Sequence, residues 1–206
     1  MKNKKTNTII DNLTKTPLAA TTLNELIKLQ NEIGVSFSTK ITAVMTINND
    51  ELAAAFAKAY AYAYAEHGLK TLIIDANMYN PSFNEIFKNQ DGFLEISEKG
   101  NKDHFSTSFV DAHTNAISLN KEIYPSEIFK SGVVQKLIEN NHNSYDHFVV
   151  LVPSIKDHKE IILLKDVLTA IILVVQKNVS KKEHIFNAIQ YCKENELPLA
   201  KTVVLK

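Results

Sequence analysis

The chain has 206 residues, of which 45% are hydrophobic and 22% charged, the range of one globular domain with a sizeable core. Lysines balance acidic residues at 23 each and there is no arginine, so the charge gives no footprint for nucleic acid and no bidentate forks for phosphate. One cysteine, Cys192, excludes an internal disulfide and fits a reducing cytoplasm, and no apolar run reaches the ~18 residues of a membrane span. Met1 to Lys5 is basic, but no apolar region follows it, so a signal peptide is not expected.

In chain order, residues 1–16 are polar and expected to be loose, with a single domain over 17–206. Pro17 opens a helical pattern in which Leu23, Leu26, Ile27, Leu29 and Ile33 recur on one face until Gly34. Its apolar stripe must cover the domain's own sheet or a partner. Ile41 to Thr46 reads as a strand, Asp50 to His67 as an Ala-rich helix stopped at Gly68, and Thr71 to Asp75 as a second buried strand. Helical spacing puts Tyr60 and Tyr64 on one face, as packing residues, and turns Tyr62 away.

Asn80-Pro81-Ser82 is a turn, followed by short helices at Phe83 to Phe87 and Gly92 to Ile96 and a polar loop at Glu98 to Asn101. Strands are expected at Phe105 to Val110 and Ala116 to Leu119, a helix start at Tyr124 to Glu127, and a helix at Val133 to Asn140. Then come a strand at Phe148 to Val152, a short helix at Glu160 to Asp166 and a strand at Leu168 to Val175. The last helix runs from a Ser180 cap to about Asn195, with Glu183 completing a capping box, and Lys201 to Leu205 is the last strand. This alternation defines an α/β fold, a mainly parallel central sheet with helices on both faces.

Ile41 to Asn77 is one βαβ unit, the frame in which a Gly-rich turn at a helix N-terminus holds phosphate. Here the turn is Thr46-Ile47-Asn48-Asn49-Asp50-Glu51-Leu52-Ala53-Ala54-Ala55, without Gly or Lys. It spells an ordinary helix start instead, with Asn48 as the cap and Glu51 at the third position, and both carboxylates suit the positive helix end. Ligands in such sheets sit at the carboxyl ends of the strands, here Thr46 to Ala55, Asp75 to Tyr79 and Leu151 to Ser154. Asp75 alone serves equally as a cap or a hydrogen-bond anchor. His142, His147 and His158 lack metal-ligand spacing, so no metal is expected.

The stretch Lys70-Thr-Leu-Ile-Ile-Asp75-Ala-Asn77-Met-Tyr-Asn-Pro81-Ser82-Phe resembles the "KTLLIDADxRxPS" of the bacterial cytoplasmic tyrosine kinases of capsule and exopolysaccharide operons. Tyr145 to Pro153 is similar to their "YDYIIIDTPP", and the ending LPLAKTVVLK to their "PVLGVVLNR". Gly92-Phe-Leu-Glu and Pro125-Ser126-Glu127 match as well, so the resemblance covers about Thr22 to Leu205. It implies a P-loop NTPase-like, Rossmann-like three-layer fold of the partitioning-ATPase class.

The departures fall on the catalytic positions. The family's "GEGKST" loop lands on Asp50, Glu51, Leu52, Ala53, Ala54 and Ala55, where only Glu survives. The second Asp of "DAD" is Asn77, the Arg after it is Tyr79, and the Asp closing the third strand is Leu151. Two helix arginines used between protomers match Ile27 and Gln30, and the C-terminal tyrosine cluster has no counterpart before Lys206.

The resemblance therefore implies a catalytically inactive relative, a regulatory or scaffold partner in polysaccharide biosynthesis and export. No cofactor and no bound nucleotide are expected. The implied partner is the cytoplasmic tail of a membrane chain-length regulator, or a related active kinase, at the inner face of the membrane. Leu23, Ile27 and Gln30 are the expected contact residues, in a monomer or small oligomer. The alternative is residual ATP-binding kinase or ATPase activity with Mg²⁺ through an atypical loop. A substitute cation would favour it, but Lys40 and Lys70 lie at strand starts, the wrong end.

Overall fold

The computed structural model describes residues 8–9, 11–13, 19–33, 40–77, 79–80, 105–109, 114–119, 129–130 and 132–205. In chain order its elements are α1 (Ala20–Ile33), β1 (Lys40–Thr46), α2 (Asp50–Ala65), β2 (Thr71–Asp75), β3 (Phe105–Phe109), β4 (Thr114–Leu119), α3 (Val133–Asn141), β5 (His147–Leu151), a 3-10 helix (Glu160–Leu164), β6 (Ala170–Gln176), α4 (Lys182–Glu194) and β7 (Leu199–Leu205). The expected turn and short helices between Pro81 and Asn101, and the helix start at Tyr124 to Glu127, lie outside the described residues.

The strands form one seven-stranded sheet in the order β3-β4-β2-β5-β1-β6-β7. Only β3, at one edge, runs antiparallel to its neighbour β4. All other neighbouring pairs are parallel. β2, β5 and β6 are buried along their whole length, as bare apolar runs must be when both faces of a sheet are covered.

One face packs Ile74, Val150, Leu173 and Val175 against Val134 and Ile138 of α3 and Ala188 and Cys192 of α4. The other packs Val44, Ile73, Val149 and Ile172 against α2, with Leu26 of α1 in the same cluster. α2 is apolar nearly all round because it lies between the sheet and α1, where small alanines permit close approach. Gly68, at φ +75, ends that helix as expected, its N–H donating to Ala65 O at 2.8 Å.

Several boundaries differ from the sequence reading. Residues 8–9 and 11–13, in the stretch expected to be loose, are helical, and Leu13 is buried beside α2. β7 begins two residues earlier than expected, at Leu199. Ser180 is not the cap of the last helix. Lys181 holds that position without a side-chain cap bond, while Ser180 Oγ accepts from Gln176 N–H at 3.1 Å and donates to Asn48 Oδ1 at 3.3 Å. The residues described contain no helix long and apolar enough to cross a membrane.

Candidate functional site

Parallel strands present their carboxyl ends on one edge, and the chain ties three of those ends together there. Val152 N–H donates to Val44 O at 3.1 Å, Ile155 N–H to Thr46 O at 2.9 Å and Ala76 N–H to Leu151 O at 2.9 Å. Ser154 Oγ donates to Ile47 O. The expected ligand edge thus exists as a joined set of turns, with α2 starting in its middle.

The cap of α2 is Asn49, one residue later than the sequence suggests. Its side-chain oxygen accepts from Leu52 N–H at 3.0 Å, and its amide donates to Gln176 Oε1 at 3.3 Å. Asn48 is exposed and pairs with Ser180 instead. The difference is physical: two consecutive asparagines both suit a cap, and the contact with β6, which no local pattern encodes, selects the second. Asp50 and Glu51 are half-buried in the first turn, while Leu52, Ala53, Ala54 and Ala55 are buried in the core around α2.

Asp75 and Asn77 are each 1% exposed, and Asn77 N–H donates to Asp75 Oδ1 at 3.0 Å. Asn77 Oδ1 accepts from Asn80 N–H, and Asn80 in turn donates to Asp50 Oδ2, both at 3.3 Å. The end of β2 is thereby tied to the start of α2. Leu151 is fully buried in the cluster around α2. Among the described residues, Asp50 Oδ1, Asn77 Nδ2 and Glu160 Oε2 are buried without a hydrogen-bond partner.

Sequence reasoning missed the next contact. Tyr79 lies flat on His158 with ring centroids 3.6 Å apart, and its hydroxyl donates to Glu160 Oε1. Partial burial, and then the acceptor Glu160, push the Tyr79 hydroxyl up to about 12. The pairing spans some eighty residues, and only the parallel placement of β2 beside β5 brings it together.

Leu23 and Ile27 are half-buried on α1. Gln30 is turned into the chain: it is 2% exposed and donates to Tyr60 O at 3.0 Å. Behind it Tyr60 and Tyr64 share a face as expected, their hydroxyls 3.1 Å apart, and Tyr64 stacks on the buried His147 at 4.1 Å. Burial raises both tyrosines, most of all Tyr60. This polar cluster lies at the amino ends of the strands, away from the ligand edge.

A seven-stranded, mainly parallel α/β sheet with a strand–turn–helix at its centre has the P-loop NTPase-like fold. Solved structures with this fold include the kinase domain of the Escherichia coli tyrosine kinase ETK, at 12% identity and TM-score 0.70, over 88% of this chain and 74% of that one. The VpsO kinase domain matches at 14% identity and TM-score 0.68, over 98% and 96% of the two chains. A ParA family ATPase from Chlorobium tepidum TLS matches at 14% and 0.56, over 82% and 74%. No family model matches the sequence, and no curated protein matches it.

Proposed function

We propose that this protein is a non-phosphorylating relative of the tyrosine kinases of capsule and exopolysaccharide operons, and that it acts as a regulatory or scaffold partner in polysaccharide assembly. The observation that carries this reading is the start of α2. There Asn49 occupies the Leu52 amide, Asp50 is bound by Asn80, and three buried alanines follow Leu52. Phosphoryl transfer depends on positioning and on stabilising charge. An anion at this turn meets two carboxylates and no lysine of the turn, and a buried acceptor, Asp50 Oδ1, already lacks a donor. These residues do not fit a magnesium-bound triphosphate.

The sequence resemblance supplies the partner class, the cytoplasmic tail of a membrane chain-length regulator or an active kinase. Co-purification of the chain with the tail encoded beside it is the direct test, and failure of the two folded proteins to associate would count against that partner. The nucleotide arm is a thermal shift. A ligand at a hundredfold excess over its Kd stabilises a fold by about 2.7 kcal/mol. At roughly 2–4 °C per kcal/mol a working site would shift Tm by several degrees. Here Mg-ATP, ADP and GTP are expected to shift it by no more than about 1 °C on that scale. A saturating shift of several degrees would establish residual nucleotide binding, and autophosphorylation from labelled ATP residual kinase chemistry, instead.

A further inference from the structure

The turn that follows β5 and the first half of α4 enclose a small cavity of about 140 Å³, lined by Ile155, Lys156, Lys159, His184, Asn187 and Ala188. Its floor is apolar and fixed: Ile155 and Ala188 are 1% and 3% exposed and belong to the core beneath α3 and α4. Ile155 is held further by its N–H, which donates to Thr46 O at 2.9 Å. The N–H groups of Asp157 and His158 both donate to Ser154 O, at 3.2 and 3.0 Å, so the turn that carries the two lysines is closed on itself. The cavity lies on the α4 face of the sheet, whereas Leu52 to Ala55, at the start of α2, pack on the other face.

The wall is rich in donors and poor in acceptors. Lys159 Nζ donates to Ile155 O and lies 4.6 Å from the centre of the Tyr191 ring, so a carbonyl and a ring face, both neutral, place its ammonium. Tyr191 is fixed in turn, its hydroxyl donating to Lys159 O at 3.4 Å. Lysines elsewhere have carboxylates: Lys28 and Lys201 pair with Glu32, and Lys165 with Glu196. Among the described residues, neither Lys156, Lys159 nor His184 is in an ion pair. The acids nearest in sequence, Asp157, Glu160 and Glu183, do not line the cavity. Asp157 and Glu183 are exposed, and Glu160 accepts from Tyr79. Lys181 and Lys182, exposed at the start of α4, add positive charge nearby. Two ammonium groups thus share one small space without a carboxylate, an arrangement that an anion offsets.

We propose that this cavity binds a phosphate group, carried by a small phosphate monoester or present as the free anion. Size sets the first limit. At about 30 Å³ per water the space equals roughly five waters, room for a phosphate and well short of the roughly 300 Å³ and more of a drug-sized ligand. Charge sets the second. Lys156 and Lys159 supply two point charges, His184 and the Asn187 amide complete the donors, and a phosphate offers the matching acceptors and more charge than a carboxylate. In a chain without arginine, lysine is the residue left for this duty.

The test is a titration of the isotope-labelled full chain followed by amide NMR, with inorganic phosphate, glycerol phosphate and acetate as probes and ionic strength held with chloride. The amide signals of Lys156, Lys159, His184 and Asn187 are expected to move and saturate with a Kd near about 1 mM, while those of Asp50 to Ala55 stay in place. Tighter binding of glycerol phosphate than of phosphate names a monoester as the ligand, and the reverse names the free anion. In Lys156→Gln/Lys159→Gln the Kd should rise at least about tenfold. Asn187→Asp, at an exposed position, should abolish saturation by putting a carboxylate in the wall. Undisturbed signals elsewhere in the spectrum show that both variants are folded. Shifts that grow linearly without saturating overturn the proposal. So does binding that both variants keep, acetate binding as tightly as phosphate, or movement at Asp50 to Ala55 instead.

Discussion

Asn49 carries two duties at one position. It caps α2 through Leu52 N–H and holds β1's exit against β6 through Gln176. Replacing a capping Asn by Ala costs about 0.5–2 kcal/mol. Asn49→Ala is therefore expected to lower the urea midpoint clearly, and Asn48→Ala, which removes only an exposed contact with Ser180, to lower it less. The reverse order would restore the cap that the sequence suggests. A second residue test concerns Tyr60. Its hydroxyl is fully buried between Tyr64 and the Thr42 side chain, so Tyr60→Phe leaves polar neighbours without their partner. That change costs about 1–3 kcal/mol. Urea unfolding checks it.

At the scale of elements, strands were the most legible part of the chain. Bare runs such as Phe148 to Val152 and Leu168 to Val175 have one stable setting, the middle of a parallel sheet, and both became central strands within a residue or two. α2 was legible for the same kind of reason, since alanine has the best helix propensity and Gly68 ends the run. Caps were less legible because Asn48 and Asn49 differ only in contacts with distant segments, and because the Ser180 hydroxyl, suited to a cap, is taken by Gln176 N–H and Asn48 instead. Of the candidate site, the turn and the strand ends were readable as positions. The contacts Asn80–Asp50 and Tyr79–His158–Glu160 were not, because they form between turns that meet only when the sheet is assembled.

For the whole molecule, three buried acids set an alkaline limit. Burial pushes the Cys192 thiol up to about 11 and raises the Tyr60 and Tyr64 hydroxyls as well. Each raised group keeps its proton in the folded state at a pH where the unfolded chain has lost it. Folding stability is then fully present below the ordinary thiol value of 9.0 and falls as pH climbs from there toward about 11. Urea midpoints measured from neutral pH upward should decline from about that point, and Cys192→Ala should flatten the first part of the decline. A midpoint that holds steady up to pH 11 would contradict the burial of these groups. Alkylation gives an independent reading: iodoacetamide should reach Cys192 slowly in the native protein and fast once it unfolds.

The tie made by Tyr79 and Asn80 also has a consequence for rates. Two consecutive residues link the start of α2, through Asp50, to the 3-10 helix, through Glu160, so they form a latch across the carboxyl edge of the sheet. Any molecule that bound between those elements would wait for the latch to open. Its apparent Kd is the intrinsic value divided by the fraction of open molecules. Its observed binding rate levels off at the opening rate once the ligand is abundant, whatever the ligand's chemistry. Tyr79→Ala, which removes the ring on His158 and the bond to Glu160, raises that plateau and leaves the closed fold intact.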